Sequence, residues 1–106
     1  MAHITQENRQ LAVFTPLGED VLVLDAFSGR ETMSRLFAYH LTMYSEKDFI
    51  PPKEIVGKSV SWRIRLPSGE PRWFNGLVSR FAAGSRETGV RRYEADLLTY
   101  LDARYS

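Results

Sequence analysis

A chain of 106 residues with no cysteine, 43% hydrophobic and 25% charged residues and a formal net charge of +1 has the make-up of one ordinary globular domain, here residues 1–106. That balance excludes a disordered polyelectrolyte, a disulfide framework and thiolate chemistry, and it demands no polyanionic partner. All but three of the 14 Lys and Arg residues are arginine, the side chain suited to planar contacts with carboxylate or phosphate.

In chain order, the N-terminal Met-Ala-His-Ile-Thr-Gln-Glu-Asn is polar and carries Glu7 where a secretory signal would need an apolar core. No run of about 18 apolar residues follows, so synthesis in the cytoplasm and no stable membrane association are expected. Residues 10–16 read as a short strand, and Pro16-Leu17-Gly18-Glu19-Asp20 as a turn into a second strand, Val21 to Phe27, the two forming a hairpin. Ser28-Gly29-Arg30-Glu31 interrupts the apolar pattern. From Leu36 to Ser45, Phe37, Tyr39, Leu41 and Met43 alternate with smaller or polar residues. Leu36, Tyr39, His40 and Met43 also sit at helical spacing, but the aromatic content favours strand.

Ser45 to Lys53 reads as a loop leading into one helical turn, Lys53-Glu54-Ile55-Val56, stopped by Gly57. Next, Val60, Trp62, Ile64 and Leu66 alternate with Ser59, Ser61, Arg63 and Arg65, the clearest strand of the chain. Pro67-Ser68-Gly69 supplies a three-residue hairpin loop, Pro67 presetting φ and Gly69 taking the left-handed conformation. With Leu66 and Glu70 flanking the loop, Trp62 falls opposite Phe74 and Val60 opposite Gly76, so Phe74, Gly76 and Val78 face the core and a glycine makes room beside the indole. Period two then puts Trp73, Leu77 and Phe81 together on the other face, a second apolar surface that is either buried in its turn or the candidate face for a protein contact. Residues 83–89 read as an exposed, mobile connection, and Arg92 to Leu101 as a last strand with Tyr93, Ala95, Leu97, Thr99 and Leu101 on one side. The result is an all-β or mostly β protein, a small antiparallel barrel or sandwich of about six strands with one short helical turn.

Catalytic and metal motifs are missing from the pattern. His3 and His40 are far apart and have no cysteine to join them, and His40 reads as a half-buried or surface strand residue. The pairs Glu19-Asp20, Glu46-Asp48 and Glu94-Asp96 read as solvated charge, and no phosphate-cradling loop occurs. No cofactor is expected and a hydrolase is disfavoured. Arg63, Arg65, Arg72, Arg80, Arg91 and Arg92 gather on the last three strands, which admits a single-stranded nucleic-acid surface, but Glu70, Glu87, Glu94 and Asp96 from the same strands can pair with them. Nucleic-acid binding is therefore the alternative reading.

The motifs together carry a family likeness. Leu17-Gly18-Glu19-Asp20-Val21-Leu22, then Phe27-Ser28-Gly29-Arg30-Glu31-Thr32-Met33-Ser34 with Phe37, then Val56-Gly57-Lys58-Ser59-Val60 and the strand Arg72 to Phe81 with Phe74, Gly76 and Val78, resemble the N-terminus of VgrG, the type VI secretion tail-spike family. The likeness runs from about residue 4 to 101. It implies a barrel of the phage baseplate hub type, a homo-oligomer that is a trimer in the family, with other hub subunits and tail-tube or spike proteins as partners and no substrate turned over. Family members continue for hundreds of residues. The 106 residues thus correspond to an N-terminal piece or to a stand-alone relative, and membrane puncture and effector delivery are not implied for them.

Overall fold

The computed structural model describes residues 5–7, 9–33 and 36–100. Six strands, β1 (Leu11–Phe14), β2 (Val23–Met33), β3 (Leu36–Ser45), β4 (Ser59–Arg65), β5 (Pro71–Glu87) and β6 (Val90–Tyr100), form one antiparallel sheet in the order β1-β4-β5-β6-β3-β2. The sheet curls into a half-barrel, and the only helical element among the described residues is a 3-10 turn, Pro52–Glu54. The all-β barrel expectation holds in that form.

The β4–β5 hairpin has the register its turn dictates. Gly69, at φ +95°, donates its N–H to the Leu66 carbonyl, and Leu66 donates to the Glu70 carbonyl. Trp62 then lies opposite Phe74 and Val60 opposite Gly76. Room for the indole is not what the glycine provides, however. A Cβ at Gly76 would stand 3.1 Å from the Leu98 carbonyl oxygen and 3.3 Å from the Leu97 Cβ, so the residue is small because β6 crosses close by.

The core lies on the concave face. Leu24, Leu41, Met43, Val60, Trp62, Val78, Tyr93, Ala95 and Leu97 meet there, and Ile50 and Ile55 from the β3–β4 connection plug one end. Tyr93 is buried ring and all, its hydroxyl donating to the Lys47 carbonyl at 2.9 Å. Gly57, at φ +84°, follows the 3-10 turn, and its N–H donates to the Val78 carbonyl, tying the plug to β5.

Four further expectations change. β1 and β2 form no hairpin: β1 pairs with β4, Leu11 opposite Ile64 and Val13 opposite Trp62, because the connection with Gly18 at φ +121° and Asp20 at φ +60° carries the chain across to the far edge. The two edges are instead stitched by one side chain. Buried Gln6 donates from Nε2 to the Val13 carbonyl at 2.7 Å, while its Oε1 accepts the N–H of Val13 at 2.7 Å and of Leu24 at 3.1 Å. Residues 28–31 do not interrupt β2, which runs on to Met33 against β3. Residues 83–87 are strand and not loop, with Glu87 opposite Val90 and the turn confined to Thr88-Gly89, Gly89 at φ +78°. The Arg91 guanidinium holds that hairpin by donating to the Gly84 carbonyl at 2.9 Å and, with Arg86, to Asp48.

The fourth change concerns Phe81. Val78 pairs with Leu97 and Arg80 with Asp96, so Ser79 is an inserted bulge residue, and the period of two slips by one. Phe81 consequently turns inward, is 5% exposed, and stacks on Tyr93 with ring centroids 5.2 Å apart. Of the grouping Trp73, Leu77 and Phe81, only the first two share the outer face.

Candidate protein-contact face

The outer, convex face carries a diagonal apolar stripe. On β5, Trp73 and Leu77 are each 55% exposed; on β1, Phe14 is 45% exposed and its ring meets that of Trp73 at 5.4 Å; on β6, Leu98 is 37% exposed and is the direct strand partner of Leu77. Between Trp73 and Leu77, Asn75 donates to the hydroxyls of Ser59 at 3.0 Å and Ser61 at 2.9 Å, so the polar ground beside the stripe is internally bonded and already ordered. Large apolar side chains lined up on a sheet face are the usual mark of a contact surface. Sequence reasoning found Trp73 and Leu77 but missed Phe14 and Leu98. Phe14 becomes visible only once β1 is placed beside β4, and Leu98 breaks the alternation of β6 as an outward leucine.

Next to the stripe stands a charged cluster across β3, β6 and β5. His40 Nδ1 is 2.7 Å from Asp96 Oδ1 and its Nε2 is 2.8 Å from Glu94 Oε1; the other Asp96 oxygen accepts from Arg80 Nε at 2.8 Å. The Asp96 carboxylate foremost, and Glu94 after it, hold the imidazole pKa above its ordinary 6.5, against the opposing effect of partial burial. Arg80 and then His40 hold the Asp96 carboxyl below its ordinary range. Glu94 and Asp96 are thus paired, not merely solvated. Ser28, His40 and Asp96 are successive strand partners, which invites comparison with a nucleophile–base–acid row. The comparison fails at one atom: the Nε2 that would activate a serine faces Glu94. Among the described residues, no group of three His, Asp or Glu side chains is arranged to hold a metal ion.

The arginines divide between several tasks. Arg63 donates to the carbonyls of Arg9 and Gln10, Arg65 to that of Gly69, and Arg72 lies 5.3 Å over the Phe74 ring. Each is thus held by a partner within the fold.

Most of the remaining motif residues face inward. Phe27, Tyr39, Trp62 and Phe74 make one aromatic cluster, with Trp62 and Phe74 stacked at 5.6 Å and Phe27 tilted against Phe74 at 5.2 Å. Phe37 lies against Tyr39, and Val78 is buried. Gly29 lets the Tyr39 ring lie across β2, since a Cβ there would come within 2.5 Å of ring carbons. Glu31 is exposed opposite Phe37. The motif therefore specifies chiefly the interior and the backbone crossings, while the outer stripe is a separate feature.

Similarity to known proteins agrees with this architecture. The chain is 39% identical over 92 residues to the type VI secretion system spike protein VgrG1a of Pseudomonas aeruginosa, covering 87% of this chain and 14% of that protein. It is 34% identical over 97 residues to VgrG1c of the same organism, covering 92% and 13%. The chain thus spans about one seventh of the length of these relatives. Among solved structures, the E. coli c3393 protein, a type VI secretion component with structural similarity to the T4 bacteriophage tail proteins gp27 and gp5, matches with a TM-score of 0.64 at 22% identity, over 82% of this chain and 23% of that one. The family model of the phage tail baseplate hub matches residues 30–100, and the chain belongs to that family.

Proposed function

We propose that this chain is a structural module of a contractile-tail hub, acting by assembly with other hub subunits and with tail-tube or spike proteins and turning over no substrate. The observation that carries the reading is the match of nearly the whole chain to VgrG spike proteins, together with an apolar stripe on the one face the core does not use. Relatives named as spike and hub proteins support a part in the same kind of machine. In this reading the chain is made in the cytoplasm and is incorporated into the tail-like assembly, where Phe14, Trp73, Leu77 and Leu98 form the contact and a homotrimer is the state sought.

The test is the mass of the chain by light scattering, alone and mixed with hub and tail-tube subunits of the same system. The wild-type chain should enter a complex. A Trp73→Ser/Leu77→Ser double variant should keep its thermal midpoint, since both side chains are exposed, and should bind at least tenfold more weakly. Undiminished association of the double variant would move the contact elsewhere on the molecule, and a chain that stays monomeric with every such partner would remove the assembly role.

A further inference from the structure

We propose that His40 is a proton-dependent clasp, an imidazolium that ties β3 to β6 through Asp96 and Glu94 together and lets Glu94 go when it loses its proton. The argument is one of donors and acceptors. A neutral imidazole has a single N–H and a single lone pair, whereas an ionised carboxylate only accepts. Contacts of 2.7 Å at Nδ1 and 2.8 Å at Nε2, both to carboxylate oxygens, need two N–H donors and hence the charged ring. Both lengths are those of charge-assisted hydrogen bonds. The raised pKa of the ring points the same way.

The surroundings decide which contact fails first. Asp96 is pinned by Arg80 from β5, at 2.8 Å, and so remains ionised and in place. Among the described residues, the other ion pair of Glu94 is to Arg92 Nε, a longer 3.8 Å and on its own strand, with Arg80 attracting it from farther off. From β2, Ser28 stands opposite His40 and Arg30 lines the same recess, adding a cation and no acid. After deprotonation, the N–H therefore stays on Nδ1 towards Asp96, and the Nε2 lone pair faces Glu94 Oε1 and repels it. Because the folded-state pKa is raised, the clasp is complete below the ordinary 6.5 and is lost as pH rises through the folded value. This inference stands whether or not the outer stripe is an assembly contact.

The experiment is a titration of the imidazole nitrogens by NMR between pH 5 and 9, on 15N-labelled full chain carrying His3→Gln so that one histidine remains. At pH 5.5 both nitrogens should show imidazolium shifts, the midpoint should lie above 6.5, and the neutral form should be the Nδ1–H tautomer. Asp96→Asn should lower the midpoint by about one pH unit, and Glu94→Gln by less. A midpoint at or below 6.5, a midpoint unmoved in both variants, or an Nε2–H neutral tautomer would each overturn the proposal.

Discussion

A single side-chain amide, that of Gln6, does between β1 and β2 what a run of backbone does elsewhere in the sheet. It presents one donor and one acceptor to Val13 and accepts again from Leu24, so it stands in for a peptide group of a strand. Removing it leaves two N–H groups and one carbonyl without partners in a buried place. Gln6→Ala should therefore cost about 3 kcal/mol, read as a lower urea midpoint at unchanged slope. Nothing in the sequence announced this, because a glutamine in a polar N-terminal run has no periodicity to betray its burial.

Two aspartates set the behaviour in acid. Arg86 foremost and Arg91 hold the Asp48 carboxyl below its ordinary 3.8, and Arg80 does the same for Asp96. Since the unfolded chain binds those protons more readily, the stability they confer is present above pH 3.8 and is lost as pH falls through the lowered folded values. Thermal midpoints measured from pH 2 to 6 should fall less steeply on acidification in Asp48→Asn and Asp96→Asn than in the wild type. These partners were half legible: arginines and acids on neighbouring strands suggested cross-strand pairs, but Asp48 lies in a loop whose return to the β5–β6 hairpin only the fold reveals.

β5 is the element on which reading by alternation both succeeded and failed. Its first half follows from the Pro67-Ser68-Gly69 turn, which leaves one register open to the hairpin, and Phe74, Gly76 and Val78 face inward as their parity requires. Its second half does not, because Ser79 is inserted opposite Asp96 and the residues after it change sides, until a second irregularity between Ala83 and Arg86. The signal was present in the spacing, since the interval from Val78 to Phe81 is odd where two inward residues of a regular strand are separated by an even number. Deleting Ser79 should turn Phe81 outward, break its stack on Tyr93 and destabilise the sheet severely. Ser79→Ala, which removes only a hydroxyl bonded to the Asp96 carbonyl, should lower the thermal midpoint by no more than a few degrees. Circular dichroism melts of the two variants separate the backbone effect from the side-chain effect.

As a molecule, the half-barrel has two unlike faces. Its concave side is closed on itself by aromatic rings and aliphatic side chains, and its convex side holds the stripe and the His40 cluster within one neighbourhood. The fold class and the inward motif could be read from the chain because alternation and turn chemistry are local. Strand order could not: hairpin logic joins neighbours in sequence, and here the first strand belongs beside the fourth. That misplacement also hid Phe14 as the companion of Trp73.

The same strand order has a bearing on how the chain comes together in time. Leu11 finds its hydrogen-bonding partner at Ile64, so a nascent chain emerging N-terminus first exposes β1 before anything exists for it to join. β2 can zip to β3 at once, and β4 to β5 to β6, but the four residues of β1 must wait for the fourth strand and, through Gln6, for the far edge as well. Long-range pairing of this kind is slow to form and early to let go. The border that closes the half-barrel is thereby also the part most readily opened.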